Sequence, residues 1–238
     1  HALDKRAYSA TALEQLAHCP YRFYLRSVLR LAPREIPEAL EGLDPLSRGR
    51  LIHAVQFELL ARLSGEGALP VTEESLPAAR RALDEVAEKV TAHFKEELAP
   101  AIERVFDDAV DDAKADLSEW LLRMSEHPEW LPVGFELSFG LPLDAAHDRA
   151  SVAEPVTLEE GITLRGAVVL VEQSGGRLRA TDHKTGAYPT WPGGLIAGGK
   201  SLQPVLYARA LEVLYPDKVI AGGRLYYCTS RGHFEERH

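Results

Sequence analysis

ITLRGAVVLVEQSGGRLRATDHKTG, residues 162–186, decides how the rest of this chain is arranged. It reads as two apolar strands joined by a tight turn at Ser174-Gly175-Gly176. The second strand ends in Thr181-Asp182-His183-Lys184-Thr185-Gly186. Strand side chains alternate, so Asp182 and Lys184 share one face and His183 points to the other.

A carboxylate beside an ammonium at a strand end suits either of two roles. It can be a surface ion pair closing a hairpin. It can also serve metal-dependent phosphodiester hydrolysis, with Asp182 holding a divalent cation and Lys184 steadying the attacking hydroxide or the phosphorane charge. The rest of the chain bears on the choice. It carries, in order, Ser9-Ala-Thr-Ala-Leu13, Cys19-Pro20-Tyr21-Arg22-Phe23, Arg48-Gly49-Arg50-Leu51-Ile52-His53, Glu136, Gly166 and Gln203-Pro204-Val205-Leu206-Tyr207.

That series resembles the RecB/AddB-like branch of the PD-(D/E)XK nuclease superfamily over nearly the whole chain. The family pattern is a helix with a Cys-Pro step, a Gly-x-x-x-His helix and a strand carrying a metal-binding Asp. Asp-x-Lys-Thr-Gly and a Gln-x-x-x-Tyr helix follow. The resemblance implies a restriction-endonuclease-like α/β core: a mixed central sheet flanked by helices, with an N-terminal helical layer and a helical insertion at about 70–126. It implies Mg2+ or Mn2+ held by His53, Asp182 and a further carboxylate, with Lys184 activating the water. Gln203 and Tyr207 would orient substrate DNA. One position departs. The family's first metal-binding Asp falls three residues after the strand's glycine, and here Gly166-Ala167-Val168 is followed by Val169. On a hairpin centred near Gly175, residue 169 lies across from Asp182. A valine cannot ligate a cation, so metal binding is expected to be weak or absent and cleavage low.

Composition sets outer limits. The 238 residues suffice for one large domain, and 45% hydrophobic with 26% charged residues is ordinary for a globular chain. No run of about 18 apolar residues is present to span a membrane. Two cysteines far apart in sequence fit a reducing, cytoplasmic compartment. A net charge of −9 excludes a generally basic coat but leaves room for a local basic channel. The chain starts at His1 and has one methionine, Met124, so it reads as a piece of a larger polypeptide. By the resemblance, that parent carries a helicase domain or partners a helicase subunit.

Taken in order, a helix capped by Ser9 or Thr11 comes first, with Thr11…Glu14 at capping-box spacing. Pro20 opens a second helix, about 21–31, whose Tyr21, Phe23, Tyr24, Leu25, Val28 and Leu29 are expected in the core. Arg22, Arg26 and Arg30 recur every four residues, either as a solvated face or as phosphate contacts on a DNA path. A helix at about 45–63 carries His53, a position where histidine is usually structural and which the resemblance turns into a ligand. Long helices follow at about 73–98 and 101–125. In the second, Ile102, Val105, Phe106, Ala109, Ala113, Leu117, Trp120, Leu121 and Met124 mark a buried face, and Asp107, Asp108, Asp111 and Asp112 a solvated one.

From Leu131 the period changes to two. Val133, Phe135, Leu137 and Phe139 share one strand face and Glu136 takes the other, either near the cation or bonded to backbone or Arg. A hairpin of 152–158 with 162–172 is expected around Glu159-Glu160-Gly161. Glu172 cannot replace the missing Asp, because parity puts it on the face opposite residue 169. Residues 194–201, GLIAGGKS, satisfy the Walker A pattern. Their approach holds two prolines and no buried strand, so ATP is not expected; Ser201 is read as the cap of the Gln203 helix. The last strand is 219–229. Some family members hold an iron–sulfur cluster through a cysteine in the Cys-Pro step and three more near the C-terminus. Cys19 matches the first, but Cys228 has no companions, so four thiolates are lacking and no cluster is expected in this chain. The function implied is metal-dependent cleavage of DNA, exonucleolytic and in repair or recombination, impaired by Val169. The alternative is an inactive pseudonuclease that binds DNA or braces a helicase-nuclease complex.

Overall fold

In the computed structural model, which describes residues 6–32, 43–143, 148–189, 196–199 and 201–238, the chain opens with α1 (Ala10–His18) and α2 (Pro20–Phe23). A π-helical turn, Tyr24–Val28, prolongs α2. Three long helices follow: α3 (Pro45–Gly65), α4 (Leu76–Leu98) and α5 (Glu103–Glu126). Then come β1 (Leu131–Phe139), the short β2 (Val156–Thr157) and β3 (Thr163–Leu164), and the hairpin β4 (Gly166–Ser174) and β5 (Arg177–Lys184). Helix α6 (Gln203–Leu214), β6 (Val219–Tyr227) and β7 (Glu236–Arg237) close the fold.

The expected hairpin forms the centre of a five-stranded mixed sheet, β1-β4-β5-β6-β7. Gly175 and Gly176 make the turn with φ of 53° and 79°, a conformation that costs glycine little. Strands β1, β4 and β5 pair antiparallel, whereas β5 and β6 run parallel and α6 lies between them in sequence. A parallel step needs such a crossover. On one face α3, α4 and α5 bury Leu51, Leu59, Val86, Phe106, Trp120 and Leu121 against Phe135, Leu170 and Tyr226. On the other, α1 and α6 bury Ala10, Tyr207 and Leu211 against Phe139, Val168 and Ala180.

Several local expectations are corrected. β1 does not alternate simply: Phe135 joins the α3 side, Leu137 and Phe139 join the α6 side, and Val133 is exposed. The reason is Glu136, whose φ of 52° reverses the direction of the strand's side chains there. The second helix ends early. Tyr21, Tyr24 and Leu29 are 70%, 48% and 46% exposed, and of that set only Phe23 is buried. The shift to π-helical turns at Tyr24 rotates later residues off the line that Phe23 faces. Arg30 then stands outside the helix with φ 57°, so it does not continue a stripe with Arg22 and Arg26. Ile102 and Val105 precede or open α5 and are exposed rather than part of its buried face. Residues 152–172 give only the two-residue pair β2–β3 before β4 joins the main sheet. The C-terminal strand β7 was not expected; it pairs Arg237 with Leu225.

A buried ion pair fixes α3. Arg48 lies 2.5 Å from Asp116 of α5, with both side chains under 10% exposed, and Asp116 also accepts the Ser230 backbone N–H at 2.8 Å. It joins α3, α5 and the turn after β6. Asp116→Ala leaves a guanidinium buried without its partner, and the expected loss is about 3–5 kcal/mol, readable as a lowered urea midpoint.

Candidate active site

The end of β5 presents Asp182 and Lys184 as the strand period requires. Lys184 Nζ is 2.6 Å from Asp182 Oδ2 and donates to Gln203 Oε1 at 2.5 Å. Gln203 opens α6, and its place is set from another element. Glu14 of α1 accepts the backbone N–H groups of Leu202 (2.7 Å) and Gln203 (3.1 Å), a carboxylate at the positive end of a helix. Glu14 is therefore not a capping-box partner of Thr11; Ser9 caps α1 through the Ala12 N–H. Nor does Ser201 cap α6. One turn into α6, Tyr207 is buried against Gly166, where a Cβ would sit 3.4 Å from the tyrosine hydroxyl. Burial and the Asp182 charge push that hydroxyl well above its ordinary range, so it stays protonated.

Helix α3 approaches β5 through Gly49, whose hypothetical Cβ would lie 3.2 Å from Thr185 Oγ1. A glycine there lets the helix close on the strand end, one turn before His53. Burial holds the His53 imidazole below its usual value against the pull of Asp182, and Lys184 adds to the lowering. The net lowering favours its neutral form, the one that can ligate a metal. His183 points the other way, as its parity requires: it is buried among Trp120 and Tyr226, with Nδ1 3.1 Å from Gln56 Oε1. Burial keeps it uncharged.

Val169 precedes Leu170, whose rung with Thr181 is the last pair of the β4–β5 ladder, so it stands where the two strands part. It shares a void of about 10 Å³ with His53, Phe57, Leu60, Phe135 and Glu136. A space of that size is at the lower limit for one water. Burial and then the Asp182 charge raise the Glu136 carboxyl from 4.5 to about 7. Because the folded value is the higher one, the folded state holds an extra proton between those values, and stability falls as pH rises through 4.5 to 7. Glu136→Gln is expected to be more stable than the parent at pH 8 by on the order of 2–3 kcal/mol, with no difference below pH 4.5. Urea unfolding of the two proteins at both pH values checks this.

Glu172 is not a substitute. Its carboxylate takes hydrogen bonds from Arg179, Arg224 and Thr181 on the α5 side of the sheet. Arg22 and Arg26 are exposed on α2 and its π-helical extension. Cys19 and Cys228 are both free; Cys228 is buried beside the Gln56 amide, and burial raises its thiol to about 12. Gly194, Leu195 and Lys200 of the Walker-like run lie outside the described residues. Glu14 and Gln56 are the positioning residues that sequence reasoning missed. Nothing local marks them, since each acts on an element far along the chain.

A model of the PD-(D/E)XK nuclease superfamily matches residues 7–237, and the chain belongs to that superfamily. A search of curated proteins found no match. Membership marks a metal-dependent nuclease fold, one that binds DNA and generally works with divalent metals. Among the described residues, no helix is long and apolar enough to cross a membrane.

The donors present suit such a metal in kind but do not complete a site. Asp182 Oδ2 is buried and accepts no well-aligned hydrogen bond, and His53 and Glu136 are coupled electrostatically to Asp182. Yet among the described residues no three His, Cys, Asp or Glu side chains converge into a metal-binding set.

Proposed function

We propose that this chain is a DNA nuclease domain of the RecB/AddB-like branch, working on ends in repair or recombination beside a helicase, with its hydrolytic centre reduced by Val169. The observation that carries this reading is the seating of Val169 in one void with His53 and Glu136, two groups that both feel the Asp182 charge. Asp182, His53 and Glu136 would be the residual ligands for Mg2+ or Mn2+, and binding is weak while residue 169 is apolar. Lys184, tethered between Asp182 and Gln203, is placed to orient a water and to balance charge on a phosphorane. Gln203 and Tyr207 hold the scissile strand, and Arg22 and Arg26 meet its backbone.

A second reading is an inactive domain that binds DNA or braces a complex. The apolar walls Phe57, Leu60 and Phe135 around Val169 support it, because they accept a valine without strain. Manganese-dependent digestion of a labelled linear duplex and a single strand separates the two readings. The parent is expected to cut little and Val169→Asp to cut both or one of them. No cutting by either, with DNA binding intact, selects the second reading. Cutting by the parent alone would mean that the metal site lies elsewhere.

A further inference from the structure

Away from the strand end, four arginines from three parts of the chain line one cavity of about 420 Å³: Arg6 before α1, Arg26 and Arg30 around the end of the π-helical turn, and Arg165 just before β4. Ser9 and Ser27 complete its polar wall, and none of the described residues that line it is a carboxylate. None of the four arginines has an ion-pair partner among the described residues. In a chain of net charge −9, whose Arg48, Arg62, Arg123 and Arg209 are each paired, that concentration of uncompensated cation is opposed by its own repulsion.

The segments are tied together. The Tyr8 N–H bonds to the Thr163 carbonyl and the Arg165 N–H to the Tyr8 carbonyl, both at 2.9 Å, and the Tyr8 ring packs 5.6 Å from that of Phe23. Arg30 is also held in the left-handed region, at φ 57°, where the Leu31 N–H returns to the Leu25 carbonyl. A side chain there is disfavoured by roughly 1–2 kcal/mol, and glycine is the usual occupant. The sequence keeps an arginine instead.

We propose that this cavity binds the phosphodiester backbone of a DNA strand, at a station separate from the Asp182–Lys184 end of the sheet. Guanidinium forks match phosphate oxygens bidentately and stay charged at any working pH. Arg165 precedes residue 169 by four positions, roughly 13 Å at the rise of a β-strand. A strand gripped there passes beside the hydrolytic centre without its scissile phosphate being the one held. This inference rests on the reading of the chain as a DNA-processing domain.

The test is binding of a labelled single-stranded oligonucleotide to the full chain in EDTA, across a range of salt concentrations. Three proteins are compared: the parent, Arg26→Ala/Arg165→Ala, and a control of equal charge change on α4, Arg80→Ala/Arg81→Ala. The cavity variant is expected to bind at least tenfold more weakly, and its slope of log affinity on log salt to be shallower by about 1.4, two phosphate contacts at about 0.7 each. The α4 control is expected to follow the parent, and all three should share one circular-dichroism spectrum. Equal weakening by both double variants would reduce the effect to overall charge and overturn the proposal. A cavity variant that binds like the parent overturns it while leaving the nuclease reading intact. A parent that binds no DNA removes both.

Discussion

Val169→Asp is expected to create Mn2+-dependent cleavage of DNA at least about 100-fold above the parent, the scale set by one electrostatic contributor to a transition state. The substitution puts a carboxylate into the void that His53 and Glu136 already share, beside two groups that feel the Asp182 charge. Without metal it is costly. A third carboxylate joins two that are coupled, so the Glu136 carboxyl, already raised to about 7, rises further. The Val169→Asp protein in EDTA is expected to be less stable by about 2 kcal/mol, a fall in Tm of roughly 4–8 °C. Mn2+ should restore that loss in the Asp form and leave the parent's Tm unchanged, because only the former gains a closed ligand set. Thermal melts with and without Mn2+ therefore report on the site independently of cleavage. If the Asp form neither cuts nor gains stability from the metal, the assignment of position 169 to the hydrolytic centre is wrong.

Gly223→Ala is expected to cost at least about 3 kcal/mol and to dislodge α6, an outcome beyond ordinary overpacking. A Cβ at Gly223 would stand 1.9 Å from the Pro204 carbonyl oxygen and 2.4 Å from its carbon. Both are backbone atoms, so no rotamer change relieves the contact. The first turn of α6 lies flat on β6 at this point, and Gln203 is the residue before Pro204. Any shift that accommodates the methyl group pulls Gln203 from Lys184. The control is Gly65→Ala at the end of α3, where a Cβ meets nothing within 4 Å. That change should be neutral or stabilise by a few tenths of a kcal/mol. A Gly223→Ala protein as stable as the Gly65→Ala protein would contradict the close seating of α6 on β6.

The sequence alone carried the elements whose signals are local. The β4–β5 hairpin followed from two apolar runs and a Gly-Gly turn, and α3 from its apolar spacing over about 45–63, observed as Pro45–Gly65. The pairing of Asp182 with Lys184 and the opposite facing of His183 followed from a period of two. The ordered motifs carried the family, and the count from Gly166 marked Val169 as the odd residue. Tertiary structure decided the rest, because the deciding partners lie far away in sequence. Glu14 sets the start of α6 across 188 residues, an interaction that α1's own sequence disguises as a capping box. Glu136 in the left-handed region breaks the alternation of β1, and no pattern of hydrophobic residues encodes a single reversed φ. The exposure of Leu29 follows a π-helical turn that local spacing reads as an ordinary helix. The arginine cavity exists only because Tyr8 is bonded to the segment leading into β4, bringing residues 6, 26, 30 and 165 together. Periodicity along one segment dictates its own form; where two segments meet is set by packing and charge between them.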